Sequence, residues 1–505
     1  MKRIILLCDG TWQDSLAQTH WYPSNVSRLA RAIKPVDSDG IAQVVYYHPG
    51  VGSEGGLLGW FLGGTFGEGI VQQMKDVYGF LSYNYVPGDE IFFFGFSRGS
   101  YMVRALCSLV MEFGILRKSG MSEFVEVFQL FMKKKFEENM ALQKLQADLV
   151  QRGALILPSD EKQKITVKAI GCFDTVGSLG VPRLFPWQKN DYKFLDLKLN
   201  PKVEHAFHAL ALDEPRLVFR PTLWFFDPRG PNFDNYKQVW FTGNHENIGG
   251  GPMYGTAPGT NLLPPSKKVK IPNYLSDGVL AWLLSQFVAQ VPNVLSDGTF
   301  IWMVSQCSGL LDFDDKYLHV DIRGGHTRRD GELDYKKVID SRSRKQEPVW
   351  YRGPINYNIF FILLGAIPFW PWPPRDVGGY FPWERDYDWF LVRWLKWLKH
   401  MVFGNPEQQE LVTKERVHIS VYNRDMITGT QSAALRNVIL DHPNESGNGD
   451  VVLEKEKNGT QHLEVVSEGG RTKKKHVPLE LYSQFEKAFW REENQDICDK
   501  KQMKK

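Results

Sequence analysis

The hydrophobic pattern changes period several times along the chain, and each change marks an element. In RIILLC, at 3–8, an unbroken apolar run follows Arg3 and is stopped by Asp9-Gly10, as expected of a strand buried on both faces. SNVSRLARAIK then spaces its apolar residues as a helix does, with Ser24 or Asn25 placed to cap it. AQVVYYH reads as a second strand and leads into a glycine-rich loop from Gly50 to Gly69. In GIVQQMKDVYGFLSYNY the helical period returns through Val71, Met74, Val77, Tyr78 and Leu81. PGDEIFFFGFS is turn and strand, and RGSYMVRALCSLVMEFGIL restarts a helix. Strand, turn and helix alternate, which predicts a mostly parallel α/β sheet flanked by helices.

The same reading continues downstream. The charged stretch 121–152 predicts helix, an insertion over the sheet at about 115–155. ITVKAIGCF predicts a strand ending at Asp174, VEHAFHALALDEPR a helix, KQVWFTGN a strand, and LSDGVLAWLLSQFV a helix capped by Ser276. These elements assign one α/β domain to 1–300. An aromatic-rich C-terminal region occupies 301–505, with a polar segment at 440–478 that reads as a hairpin with flexible flanks. Within that region NIFFILLGAIPFWPWPP, 358–374, is broken by Pro368, Pro371 and Pro373 and falls short of the roughly 20 residues of a spanning helix. WFLVRWLKWLKHMVF, 389–403, is a helical pattern with Arg393, Lys396 and His400 beside a wide Trp/Leu face. Such a face suits the plane of a lipid headgroup layer, which makes 358–403 a candidate peripheral membrane contact. A helix buried in a core or a subunit interface is the competing reading.

Composition narrows the classes. A net charge of +3 over 505 residues argues against nucleic acid as a partner. The cysteines are five, scattered and without C-x-x-C spacing, which excludes a disulfide scaffold or zinc ribbon and fits a reducing compartment. After MKR only IILLC precedes Asp9, whereas a secretory leader needs an apolar core of about 7–15 residues. The expected location is therefore cytoplasmic or peripheral to a membrane, with neither signal peptide nor transmembrane helix.

Candidate chemistry centres on GFSRG, 95–99. A serine in G-x-S-x-G after an apolar strand and before a helix fits a strained strand-to-helix turn, where it acts as a nucleophile. The N–H of the next residue, Arg98, then faces a developing oxyanion. A nucleophilic serine needs a base, and the base an orienting acid. Asp174 in GCFDTVGS and His245 in VWFTGNHENIGGG both follow strands and come in the order Ser, acid, His. Capping aspartate and loop-packing histidine are the alternatives. CDGTW offers a second oxyanion donor through the N–H of Gly10 or Thr11, with Gly50–Gly69 as competitor and Asp9 as turn former or site element. GVGSEG at 50–55 matches G-x-G-x-x-G, but more glycines precede any helix and no acid follows at the spacing a dinucleotide site needs. His245-Glu246 lacks a second zinc-binding histidine, and DFDD at 312–315 lacks the glycine and glutamate of a calcium loop. No cofactor and no metal are expected.

CDGTW, NVSRLARAI, GVGSEGG, YNYVPGDEIFFFGFSRGSYMVRAL, FDTVGSLG, AFHALALDEPRLVFRPTLW, WFTGNHENIGGG and LSDGVLAW occur in this order, with a short echo in VHISV at His418. Together they resemble the α/β-hydrolase family that includes the type VI secretion phospholipase effectors, over about residues 3–285. The resemblance implies an α/β-hydrolase fold, a Ser-Asp-His triad on Ser97, Asp174 and His245, and in some members phospholipase A activity. The chain departs from the family at Asn247, where an aspartate is usual, and at Ser100, where alanine is usual. The expected function is a serine hydrolase of acyl esters with a lipid or other acyl-ester substrate. The alternative is a catalytically weak hydrolase fold serving as a membrane- or protein-binding module.

Overall fold

In the computed structural model RIILLC forms β1 (Arg3–Cys8), an interior strand one place in from an edge of the sheet. The residues described are 1–10, 23–50, 66–133, 136–158, 164–176, 199–214, 219–251, 253–254, 290–291, 295–322, 375, 413–421, 435, 438–441 and 475–490. Alternate residues of β1 serve opposite cores. Ile4, Leu6 and Cys8 face one hydrophobic cluster, and Ile5 and Leu7 face the other. That two-sided burial is why Ile4 to Cys8 carry no polar residue.

The chain continues through α1 (Asn25–Ala32), β2 (Gln43–His48), α2 (Phe66–Asn84), β3 (Glu90–Phe96) and α3 (Arg98–Glu112). Ser24, not Asn25, caps α1: its Oγ accepts from the Ser27 N–H at 3.1 Å. The charged stretch forms two helices, α4 (Phe124–Lys133) and α5 (Phe136–Gln151). Then come β4 (Thr166–Phe173), β5 (His205–Ala211), β6 (Tyr236–Phe241), α6 (His245–Gly249), α7 (Leu295–Cys307) and α8 (Asp315–Ile322). Three late strands, β7 (Glu415–His418), β8 (Val438–Asp441) and β9 (Lys475–Glu480), complete the sheet.

The nine strands run in the order β8-β9-β7-β6-β5-β4-β3-β1-β2, and every neighbouring pair is parallel. Helices α2, α3 and α4 cover one face, while α1 and α7 cover the other. The chain leaves β1 for β2 on one side and returns to β3 on the other. This makes the carboxyl end of β1 and β3 the switch point where open α/β sheets place their ligands. Because β7, β8 and β9 extend this sheet, it draws strands from both sides of residue 300.

One expected element differs. VEHAFHALALDEPR, read as a helix, contains strand β5, paired with β4 and β6. Its Ala, Leu and His residues satisfy a helical period locally. The slot between two strands fixes it as extended, because both faces are buried and period no longer discriminates. The strands flanking the polar segment, β8 and β9, are parallel and so do not form a hairpin with one another. The interior of 440–478, the helix expected after Ser276 and the aromatic stretches at 358–374 and 389–403 lie outside the described residues. Among the described residues no helix is long and apolar enough to cross a membrane.

Candidate active site

The turn from β3 into α3 is built from FGFSRGS. Ser97 has φ 56° and ψ −121°, a conformation that costs on the order of 1–3 kcal/mol for a residue with a side chain. It is held there by its own N–H, which donates to the Phe173 carbonyl at 3.0 Å. Two glycines make the turn possible by close approach. A Cβ on Gly95 would sit 2.6 Å from the backbone of Ser100. A Cβ on Gly99 would press on the carbonyls of Cys8 and Asp9 at the end of β1. The G-x-S-x-G spacing therefore fixes how near α3 lies to the sheet.

His245 follows β6 through Gly243, whose φ of 122° ends the strand. It is not in a loop: it opens the short helix α6, capped by Asn244. Its N–H donates to the Glu214 carboxylate at 3.0 Å, and its ring lies between Phe96 and Phe219, each with centroid separation 4.7 Å. The imidazole Nε2 is 2.7 Å from Ser97 Oγ, and Nδ1 is 2.6 Å from Asp174 Oδ2.

Asp174 ends β4 with φ 39°, its N–H donating to the Ala209 carbonyl at 2.8 Å. Its Oδ1 accepts from the Ala211 N–H at 3.0 Å. A guanidinium that the sequence pattern did not reveal completes its surroundings. Arg375 Nη1 donates to Oδ1 at 2.6 Å and Nη2 to Oδ2 at 3.0 Å. Burial alone favours the neutral acid, but the Arg375 charge and the His245 hydrogen bond outweigh it and hold the carboxyl well below the usual range. With Asp174 ionised, Nδ1 of His245 must carry the proton it donates, and Nε2 is left as acceptor for the Ser97 hydroxyl.

The neighbouring histidine is a support. Buried His208 donates from Nδ1 to Gln238 Oε1 at 3.1 Å, and its Nε2 accepts from the Thr175 N–H at 3.1 Å, next to Asp174. Burial, and then the charge of Arg104, push its pKa down to about 3, so the ring stays neutral.

The other expected site residues have different places. Arg98 opens α3, where backbone N–H groups have no intrahelical acceptor. The Gly10 N–H is already engaged, donating to its neighbour Asp9 Oδ1 at 2.7 Å, and Thr11 lies outside the described residues. Asp9 accepts also from Ser24 Oγ at 2.5 Å and Tyr47 Oη at 2.7 Å. Asn247 pairs with the capping residue Asn244. Its Oδ1 accepts from the Asn244 N–H and its own N–H donates to Asn244 Oδ1, each at 3.0 Å. An amide oxygen accepts here as a carboxylate oxygen would. His418 ends β7, bonded to Ser420 Oγ at 2.8 Å and facing Glu486 at 3.4 Å, so it belongs to a separate buried cluster. Sequence reasoning missed Arg375, Glu214 and Phe219. Arg375 stands among prolines with no period to mark it, and Glu214 lies at the end of the segment misread as helix. Among the described residues no group of three or more His, Cys, Asp or Glu is arranged to hold a metal ion.

The chain is 29% identical over 235 residues to the uncharacterized protein YEL023C of Saccharomyces cerevisiae, covering 43% of this chain and 32% of the yeast protein. It therefore spans about a third of that relative. Among solved structures, the Tle1 effector bound to the VgrG spike of the type 6 secretion system matches with 20% identity and TM-score 0.29, over 51% of this chain and 52% of the effector. An uncharacterized protein from Pseudomonas aeruginosa matches with 16% identity and TM-score 0.28, over 50% of this chain and 42% of its own. Residues 2–306 match the family of Tle1-like type VI secretion phospholipase effectors, catalytic domain, and with more than half its length matched the chain belongs to that family.

Proposed function

We propose that this chain hydrolyses carboxylic esters by a serine mechanism, with acyl esters of phospholipids as its substrate class and Ser97, His245 and Asp174 as the catalytic residues. The observation that carries the reading is the unbroken hydrogen-bonded chain from Ser97 Oγ through both nitrogens of His245 to Asp174. His245 Nε2 takes the Ser97 proton as Oγ attacks the acyl carbonyl, and Asp174 stabilises the imidazolium that forms. The Arg98 N–H, at the positive end of α3, donates to the developing oxyanion. His245 then delivers its proton to the departing alcohol oxygen as the C–O bond breaks, leaving an acyl ester on Ser97. Water, deprotonated by His245, attacks that ester and releases the fatty acid with Ser97 restored. Membership of a phospholipase effector family supports the lipid ester over other acyl esters.

The test is reaction of the full chain with a fluorophosphonate probe, followed by hydrolysis of phosphatidylcholine vesicles. Labelling and fatty-acid release are both expected from the wild type. Ser97→Ala abolishes both, and His245→Ala lowers them by at least about 10³. A folded wild type that neither labels nor releases fatty acid overturns the reading and favours a binding role for the fold.

A further inference from the structure

The family match ends at residue 306, and Ser97, Asp174 and His245 all lie inside it. Arg375 lies outside, 201 residues after the aspartate it grips. The pair is desolvated, with side-chain exposures of 4% for Arg375 and 0% for Asp174. A carboxylate has about four acceptor positions, and all are taken here. Oδ1 receives Arg375 Nη1 and the Ala211 N–H, while Oδ2 receives Arg375 Nη2 and His245 Nδ1. The guanidinium is itself fixed from the other side. Nη1 donates to the Ala211 carbonyl at 2.6 Å and Nη2 to the Phe219 carbonyl at 2.5 Å. Ala211 ends β5, and the ring of Phe219 packs on His245, so one planar group ties the acid to two walls of the site.

We propose that Arg375 is a positioning residue, fixing the Asp174 carboxylate in the orientation that holds His245 toward Ser97, so that a residue beyond the family-matched domain completes the site. The inference rests on the triad reading above. A residue that merely anchors its own segment would affect folding and would act independently of Asp174. A positioning residue acts only through it.

The experiment is the fluorophosphonate labelling rate of the full chain, with folding checked by circular dichroism. Arg375→Ala is expected to label about a hundredfold more slowly, the loss that a misplacement of about 1 Å brings. Added methylguanidinium should restore part of that rate. Arg375→Lys keeps the charge but not the fork, so it too should be slow, and it serves if the alanine variant fails to fold. In an Asp174→Asn background, Arg375→Met, which leaves no unpaired buried charge, should change the rate by less than about twofold. Wild-type rates in folded Arg375→Ala or Arg375→Lys overturn the inference. So does an Arg375→Met that slows Asp174→Asn by the full factor. A wild type that does not label at all removes the triad reading and this inference with it. A labelled wild type with indifferent Arg375 variants removes the inference alone.

Discussion

Gly99→Ala separates the close approach at the serine turn from ordinary helix energetics, because the two give opposite signs. Gly99 is the second residue of α3, where replacing glycine by alanine normally gains about 0.5–1 kcal/mol. Here the new methyl would lie 2.7 Å from the Cys8 carbonyl carbon and closer still to the carbonyl oxygens of Cys8 and Asp9. Ordinary contact is about 3.5–4.0 Å, so α3 or the end of β1 must yield by about 1 Å. Both are backbone, and β1 is hydrogen-bonded on both sides, so no side chain can rotate out of the way. Overpacking of this kind costs about 1–3 kcal/mol, which outweighs the propensity gain. A shift of about 1 Å at the residue after Arg98 also moves Ser97 against His245, and about 10² in reaction rate goes with it. Gly79→Ala in α2 is the control, since its methyl would meet Met121 Cε at 3.6 Å, an ordinary contact. Denaturant midpoints and fluorophosphonate labelling rates measure both effects. Gly79→Ala should gain stability with no change in rate, and Gly99→Ala should lose both. A Gly99→Ala protein as stable and as reactive as the wild type would refute the argument.

Three further outcomes are expected. His208 stays neutral when folded but takes a proton below pH 6.5 when unfolded, so falling pH favours the unfolded chain; stability should drop by about 1.4 kcal/mol per pH unit from this group as pH falls from 6.5 to about 3. His208→Gln should flatten that limb, and an unchanged slope in pH-dependent denaturation would contradict the assignment. Asn247→Asp retains the capping acceptor and should leave Ser97 reactivity near wild type. Asn247→Leu removes it and should cost about 1 kcal/mol, read from the denaturant midpoint. Cys8, Cys107, Cys172 and Cys307 are buried and their thiols are pushed up by burial, so maleimide should modify them only as fast as the chain unfolds. Labelling of any of the four faster than hydrogen exchange of the core amides would show an opening this packing does not contain.

The amino-acid pattern by itself determined the parallel α/β architecture. IILLC and IFFFGF are continuous apolar runs closed by turn residues, and burial on two faces leaves such a run few other uses. It also set Ser97, Asp174 and His245 just after strands, and the strand ends of a parallel sheet share one edge. The tertiary structure decided what local period could not. HAFHALA satisfies helix and strand alike, and the neighbours β4 and β6 make it a strand. The Gly10 N–H looked open for an oxyanion until the fold turned it onto Asp9. Arg375 has no motif, since its partner lies 201 residues away and a guanidinium is recognised only by the carboxylate it meets. Sequence periodicity records which face of an element is buried; which polar groups meet inside the protein depends on distances that only the folded chain sets.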